Sequence, residues 1–139
     1  MIYKRSDGKI LMRLDKGEEI CESLMHVAED ENISAAAVSG IGAADEIETG
    51  VYNLTENKYD RFVFTGNHEI TSLSGTLSRK DAQPYQHLHI NLADKSGNIV
   101  GGHLFRAIIS LTCEIVIDII DIEAERRYNP EIGINQLVL

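Results

Sequence analysis

The sequence is short of the residues that secreted scaffolds and nucleic-acid-binding surfaces depend on. Its two cysteines, Cys21 and Cys113, stand far apart and in no CxxC pair, so they provide neither a disulfide framework nor a redox motif. Both fall in segments that read as regular structure and are expected as small core residues. Pro84 and Pro130 are the only prolines, and there is no repeat, low-complexity tract or linker. No apolar run is long enough to span a bilayer. The opening MIYKRSDGK lacks the apolar stretch of a signal peptide, and a cytoplasmic location is expected. Basic residues are also scarce: 13 Lys and Arg face 22 Asp and Glu, for a net charge of −9. A duplex-binding surface displaces condensed counterions with a Lys/Arg footprint, yet no basic run here exceeds Lys4-Arg5 or Arg126-Arg127. Non-specific nucleic-acid binding is disfavoured.

The residues that are present fit one globular domain, residues 1–139, with a core of its own. Hydrophobic content is 43% and charged content 25%. The pattern predicts a β-hairpin first: Ile2 to Ser6, an Asp7-Gly8 turn, and Lys9 to Leu14. A single helix is predicted over Gly17 to Glu31, with Asp15 as N-cap and Glu18 completing a capping box. Ile20, Leu24, Val27 and Ala28 give it one apolar stripe, and Asn32 is its stop. The glycines of SGIGAA are not a phosphate loop, since no Gly-Lys-Ser/Thr follows; they suit close backbone packing or a bulge. That segment reads as a buried small-residue strand, a bend and a second strand. Further strands are predicted at Arg61 to Thr65, Glu69 to Ser78, through the histidine-rich segment, and at Ala107 to Asp121. In this last strand Ile109, Leu111, Cys113, Ile115, Ile117 and Ile119 would form one apolar face. The tail YNPEIGINQLVL reads as irregular, though Ile132, Ile134, Leu137 and Leu139 are too apolar for free solvent. The expected class is α+β, an antiparallel sheet of six to eight strands on one main helix.

Three of the five histidines lie in QHLHINLADKSGNIVGGHL, residues 86–104. From Tyr85 to Ala93 the chain alternates, so Leu88, Ile90 and Leu92 share one face and Tyr85, His87, His89 and Asn91 the other. Asp94 to Asn98 offers a three-residue turn, Lys95-Ser96-Gly97, with glycine at its left-handed position. That turn sets a register in which Leu92 faces Val100, Leu88 faces Leu104, and His89 faces His103. A two-residue turn would move His103 to the wrong face and break the apolar match. Imidazoles so placed can reach a common ion, with cross-strand Cβ atoms about 5 Å apart and His87 on the diagonal. Three neutral imidazoles suit zinc best, with nickel, copper or iron also served, and leave a fourth position for water, a carboxylate or substrate. Glu114, on the mixed face of the last strand, is the acidic candidate, as fourth ligand, acceptor for an imidazole N–H, or general base. His26 and His68 lack partners by spacing and read as surface or structural.

RLDKGEEI (13–20), VSGIGAADEI (38–47), EITSLSGTLS (69–78) and HLHINLADKSGNIVGGHL (87–104) fall in the order and spacing of a known family. The chain resembles the PPC (plants and prokaryotes conserved) domain over roughly Tyr3 to Ile120. The resemblance implies an antiparallel sheet on one helix, similar to acetolactate decarboxylase, assembly as a homotrimer, and zinc held by His87, His89 and His103. Members in land plants accompany AT-hooks and regulate transcription, and many prokaryotic relatives are named for DNA binding. This chain has no Arg-Gly-Arg-Pro hook, and the plant Gly-Arg-Phe-Glu-Ile-Leu signature stands here as Gly66-Asn67-His68-Glu69-Ile70-Thr71. The expected function is thus a trimeric metal-binding protein, acting on a small carbonyl- or carboxylate-bearing ligand if it is an enzyme. The alternatives are a DNA-associated regulatory scaffold and a trimer whose metal is purely structural.

Overall fold

The computed structural model describes residues 1–139 as β1 (Ile2–Ser6), β2 (Lys9–Asp15), α1 (Ile20–Asp30), β3 (Ala36–Asn53), β4 (Lys58–Lys80), β5 (Gln83–Ala93), β6 (Ile99–Ile119), β7 (Glu125–Asn129) and β8 (Ile134–Val138). Strands hold 69% of the residues. The protein is therefore dominated by its sheet, with one short helix, rather than an even mixture of the two. All major pairings are antiparallel, in the order β1-β2-β6-β3-β4-β7-β8, and β5 pairs with both β4 and β6. The strands β3, β4, β5 and β6 consequently close a circuit, in which β6 covers the 89–93 end of the histidine strand. No helix is long and apolar enough to cross a membrane.

Several expected breaks between strands are bulges within long strands. The predicted pairs at 33–54 and 61–78 are each one strand, β3 and β4. The β3–β4 register shifts between Gly40 and Gly42 and again between Ala44 and Glu46, where small residues let the strand bend without a loop. The same irregularity corrects the apolar face assigned to 109–119. Between β3 and β6 the register shifts between Gly42 and Ala44, and Leu111 turns outward, 72% exposed. Ile109, Cys113, Ile115 and Ile117 remain buried. The tail is ordered: β7 and β8 form a hairpin. It meets β4 at the Arg79–Glu125 bridge, and the Tyr52 hydroxyl donates to the Ile132 carbonyl at 2.9 Å.

The helix starts later than the capping-box pattern suggests. Glu18 Oε2 does accept from the Asp15 N–H at 2.8 Å, but Gly17 follows with φ +89°, a left-handed residue that a helix cannot contain. Residues 17 and 18 instead pair with Ile109 of β6. The N-cap is Glu19, whose side chain accepts from the Glu22 N–H at 2.6 Å. Its other oxygen accepts from the buried Ala107 N–H at 2.8 Å, so one carboxylate both starts α1 and ties it to β6. Removing it leaves a helix end and a buried donor without partners. Glu19→Ala is expected to cost about 2–4 kcal/mol by chemical denaturation.

Ile20, Cys21, Leu24, Val27 and Ala28 of α1 bury against a core that includes Leu88, Ile90 and Leu92 of β5. Burial pushes both the Cys21 and Cys113 thiols up to about 12, which keeps them protonated and unreactive. With the apolar side of β5 fixed on this core, period-two alternation sends His87 and His89 to the opposite side.

A candidate metal centre on the outer face

The turn after β5 sets the position of the third histidine. Asp94 Oδ1 accepts from the Ser96 and Asn98 N–H groups at 2.7 and 3.0 Å, and the Gly97 N–H donates to the Asp94 carbonyl at 2.9 Å. Gly97 has φ +80°, the conformation expected of it in a three-residue turn. The resulting register pairs Leu92 with Val100 and His89 with His103, as the spacing predicts. Pairing ends at His89–His103, so Leu88 and Leu104 lie just beyond it, both buried in the core. Gly101 allows β6 to approach β5 this closely: a Cβ there would lie 2.1 Å from the Ile90 carbonyl oxygen. The absence of a side chain thus serves backbone proximity more than room for imidazoles.

The three rings face one another. Ligand atoms of His87, His89 and His103 all lie within 4.8 Å of one another, and the ring centroids are 5.3, 5.3 and 5.6 Å apart. His103 is wedged between Tyr59 and Phe105, each with its ring centroid 4.8 Å away. Its Nδ1 is buried and has no hydrogen-bond partner. Native structures seldom leave such an atom unsatisfied, and a metal ion is one partner that satisfies it. Burial first, then the neighbouring His87 and His89 with Arg61 and Arg126, push His103 down to about 4. His87 is lowered for the same first reason, with Arg126 next. Neutral His87 and His103 rings at pH 7 keep lone pairs for a cation, so the donor set fits a transition-metal ion.

The other candidates lie elsewhere. Glu114 is not brought to the histidines within the chain. It is exposed on β6, opposite Arg13 of β2 and Ile41 of β3, and lines a separate cavity with Ile2, Tyr3 and Leu11. His26 is on the surface with Nε2 3.3 Å from Asp30, and His68 Nδ1 contacts the Gly66 carbonyl at 2.7 Å. What the sequence did not indicate is the company of the histidines. A cavity of about 240 Å³ beside His87 and His103 is walled by Tyr59, Tyr85 and Phe105 and closed by Arg126 and Asn135 of the C-terminal hairpin. Tyr85 shares the histidine face by alternation, but nothing in the sequence brings Tyr59 or Arg126 to it.

The model of the Plants and Prokaryotes Conserved (PCC) domain matches residues 1–121. The chain belongs to this family. No curated protein matches it. Among solved structures it is similar to a protein of Bacteroides thetaiotaomicron that is provisionally named as DNA-binding, at 29% identity and TM-score 0.95 over 99% of this chain and 96% of that one. It is also similar to a metal-containing protein of Archaeoglobus fulgidus, at 30% identity and TM-score 0.89 over 100% and 99%. Acetolactate decarboxylase of Bacillus subtilis shares the fold alone, at 18% identity and TM-score 0.62 over 84% of this chain and 54% of that one. This PCC chain thus has a metal-containing relative and a three-histidine cluster of its own.

Proposed function

We propose that this PCC protein is a homotrimer that binds one zinc ion per chain through His87, His89 and His103, and uses the ion's open position on a small carbonyl- or carboxylate-bearing compound. The observation that carries the reading is the convergence of three imidazoles whose ligand atoms lie within 4.8 Å of one another, with the buried His103 Nδ1 lacking any hydrogen-bond partner. A zinc ion so held would supply Lewis acidity or a water of lowered pKa. The chain's own part is to hold His87 and His103 neutral by burial, to fix the rings from two paired strands, and to limit water access with the wall of Tyr59 and Phe105. The metal-containing relative from Archaeoglobus supports a bound metal ion. Assembly is supported by an exposed apolar strip on the outer sheet face, where Leu11 and Val116 pair across β2 and β6 and Ile41 lies beside them on β3. Such strips mark interaction surfaces.

Elemental analysis of the purified protein is expected to find one zinc per chain, with light scattering at three times the 15.4 kDa chain mass. A trimer that dissociates on chelation would assign the ion to structure instead of chemistry. The provisional name of the Bacteroides relative favours a second reading, DNA association. Against it stand the net charge of −9 and six arginines already occupied by acidic partners. In a gel shift against duplex DNA the protein is expected to give no complex at physiological salt; a complex that persists there and survives chelator would favour the DNA reading.

A further inference from the structure

Arg126 is the one arginine of the chain with no acidic partner. Arg5, Arg13, Arg61, Arg79, Arg106 and Arg127 each meet a carboxylate at 2.7–3.8 Å. Arg126 is also buried, 8% exposed. A guanidinium does not shed its proton in a protein, and a buried charge is costly unless it is paired. With 22 acidic residues in the chain, carboxylates are not scarce, yet all of Arg126's acceptors are neutral. Its Nε donates to Ser78 Oγ at 3.1 Å, Nη1 to the Asn135 carbonyl at 3.2 Å, and Nη2 to Thr76 Oγ1 at 3.2 Å. The guanidinium carbon lies 5.1 Å from the centre of the Tyr85 ring. These bonds use three of its five N–H groups and leave one on each Nη, the number that a bidentate grip on a carboxylate takes.

The placement of that grip relates it to the histidines. Thr76, which anchors Arg126, is the cross-strand partner of His87, a separation of about 5 Å between Cβ atoms. Arg126, His87 and His103 line the same cavity. Only one cation faces it among aromatic walls, which suits a single negative charge on an apolar body better than a phosphate or a polyanion.

We propose that Arg126, delivered by the β7–β8 hairpin, is the anion-recognition residue of this site, and that the ligand is a small monocarboxylate whose carbon body lies against Tyr59 and Tyr85. The proposal rests on the metal reading only for the ligand's other end, which would face the ion; the grip on the carboxylate does not need it. The hairpin lies beyond residues 1–121 matched by the family model.

Calorimetric titration of the full-length protein with pyruvate, its neutral counterpart pyruvamide and inorganic phosphate tests the assignment. Zinc-loaded wild type is expected to bind pyruvate at least tenfold tighter than either alternative. Arg126→Gln is expected to keep its zinc and lose that preference. His89→Ala separates the two readings: with the metal gone, overall affinity drops while pyruvate is still preferred over pyruvamide. Failure of wild type to hold zinc would sink the metal reading and leave this preference standing. Equal binding of pyruvate and pyruvamide by His89→Ala, a preference for phosphate, no pyruvate binding, or an Arg126→Gln protein with its preference intact would each overturn the role of Arg126. Because the His89→Ala comparison leaves Arg126 in place, it decides the matter even where Arg126→Gln does not fold.

Discussion

Metal-stripped wild-type protein is expected to take up one zinc per chain, and the His89→Ala variant none at the same free zinc concentration. His89 is the informative ring to remove because it is exposed and makes no hydrogen bond that holds the fold. His103, wedged between Tyr59 and Phe105, would leave a hole in the aromatic wall on truncation. A ring that only supports a metal ligand changes affinity by about 10–100-fold when altered, so loss of a ligand itself is expected to exceed about 100-fold. Unfolding of the metal-free variant should match that of the metal-free wild type within about 0.5 kcal/mol, the usual range for an exposed substitution. Stoichiometric zinc in both proteins would place the ion elsewhere.

The second large effect falls on Gly75 of β4, which carries no chemistry. Gly75 faces Leu88, between the two histidines of β5. A Cβ on it would come within 2.0 Å of the His87 carbonyl oxygen and 2.8 Å of the Leu88 Cα. Both obstacles are backbone, so no rotamer can relieve the contact. Gly75→Ala must therefore push β5 off β4, at an expected cost of about 3 kcal/mol or more. Exposed Ser39→Ala on neighbouring β3 is expected to stay within about 0.5 kcal/mol. Because the displaced residues flank Leu88, zinc affinity should fall together with stability in Gly75→Ala. A variant as stable as wild type would mean that the two strands are not so tightly apposed.

How far the sequence reveals this architecture follows from the range of the forces involved. The histidine hairpin is local: alternation, a glycine at the left-handed turn position and a match of apolar faces specify its register, and His89 meets His103 as expected. The first hairpin and the apolar stripe of the helix are local too. The start of the helix was obscured because the Asp15–Glu18 contact forms without a helix around it, while Gly17 pairs with β6 and Glu19 takes over the cap. Strict alternation points Leu111 inward, but a bulge that depends on the long-range pairing of β3 and β6 turns it out. The cavity wall is the least legible part. Arg126 lies more than twenty residues from the nearest histidine in sequence, and only the folding of the tail into a hairpin over β4 and β5 brings it to His87. Glu114 has the right chemistry and the right face of β6, but ten residues of strand separate it from His103.

One ion shared by three imidazoles from two paired strands is the feature on which the proposed chemistry depends. An anomalous-scattering map from a zinc-loaded crystal, recorded on both sides of the zinc absorption edge, tests it most directly. One peak per chain is expected, within about 2.0–2.1 Å of a nitrogen from each of His87, His89 and His103. A loaded crystal whose only peaks lie away from these rings, or touch just one of them, would contradict it.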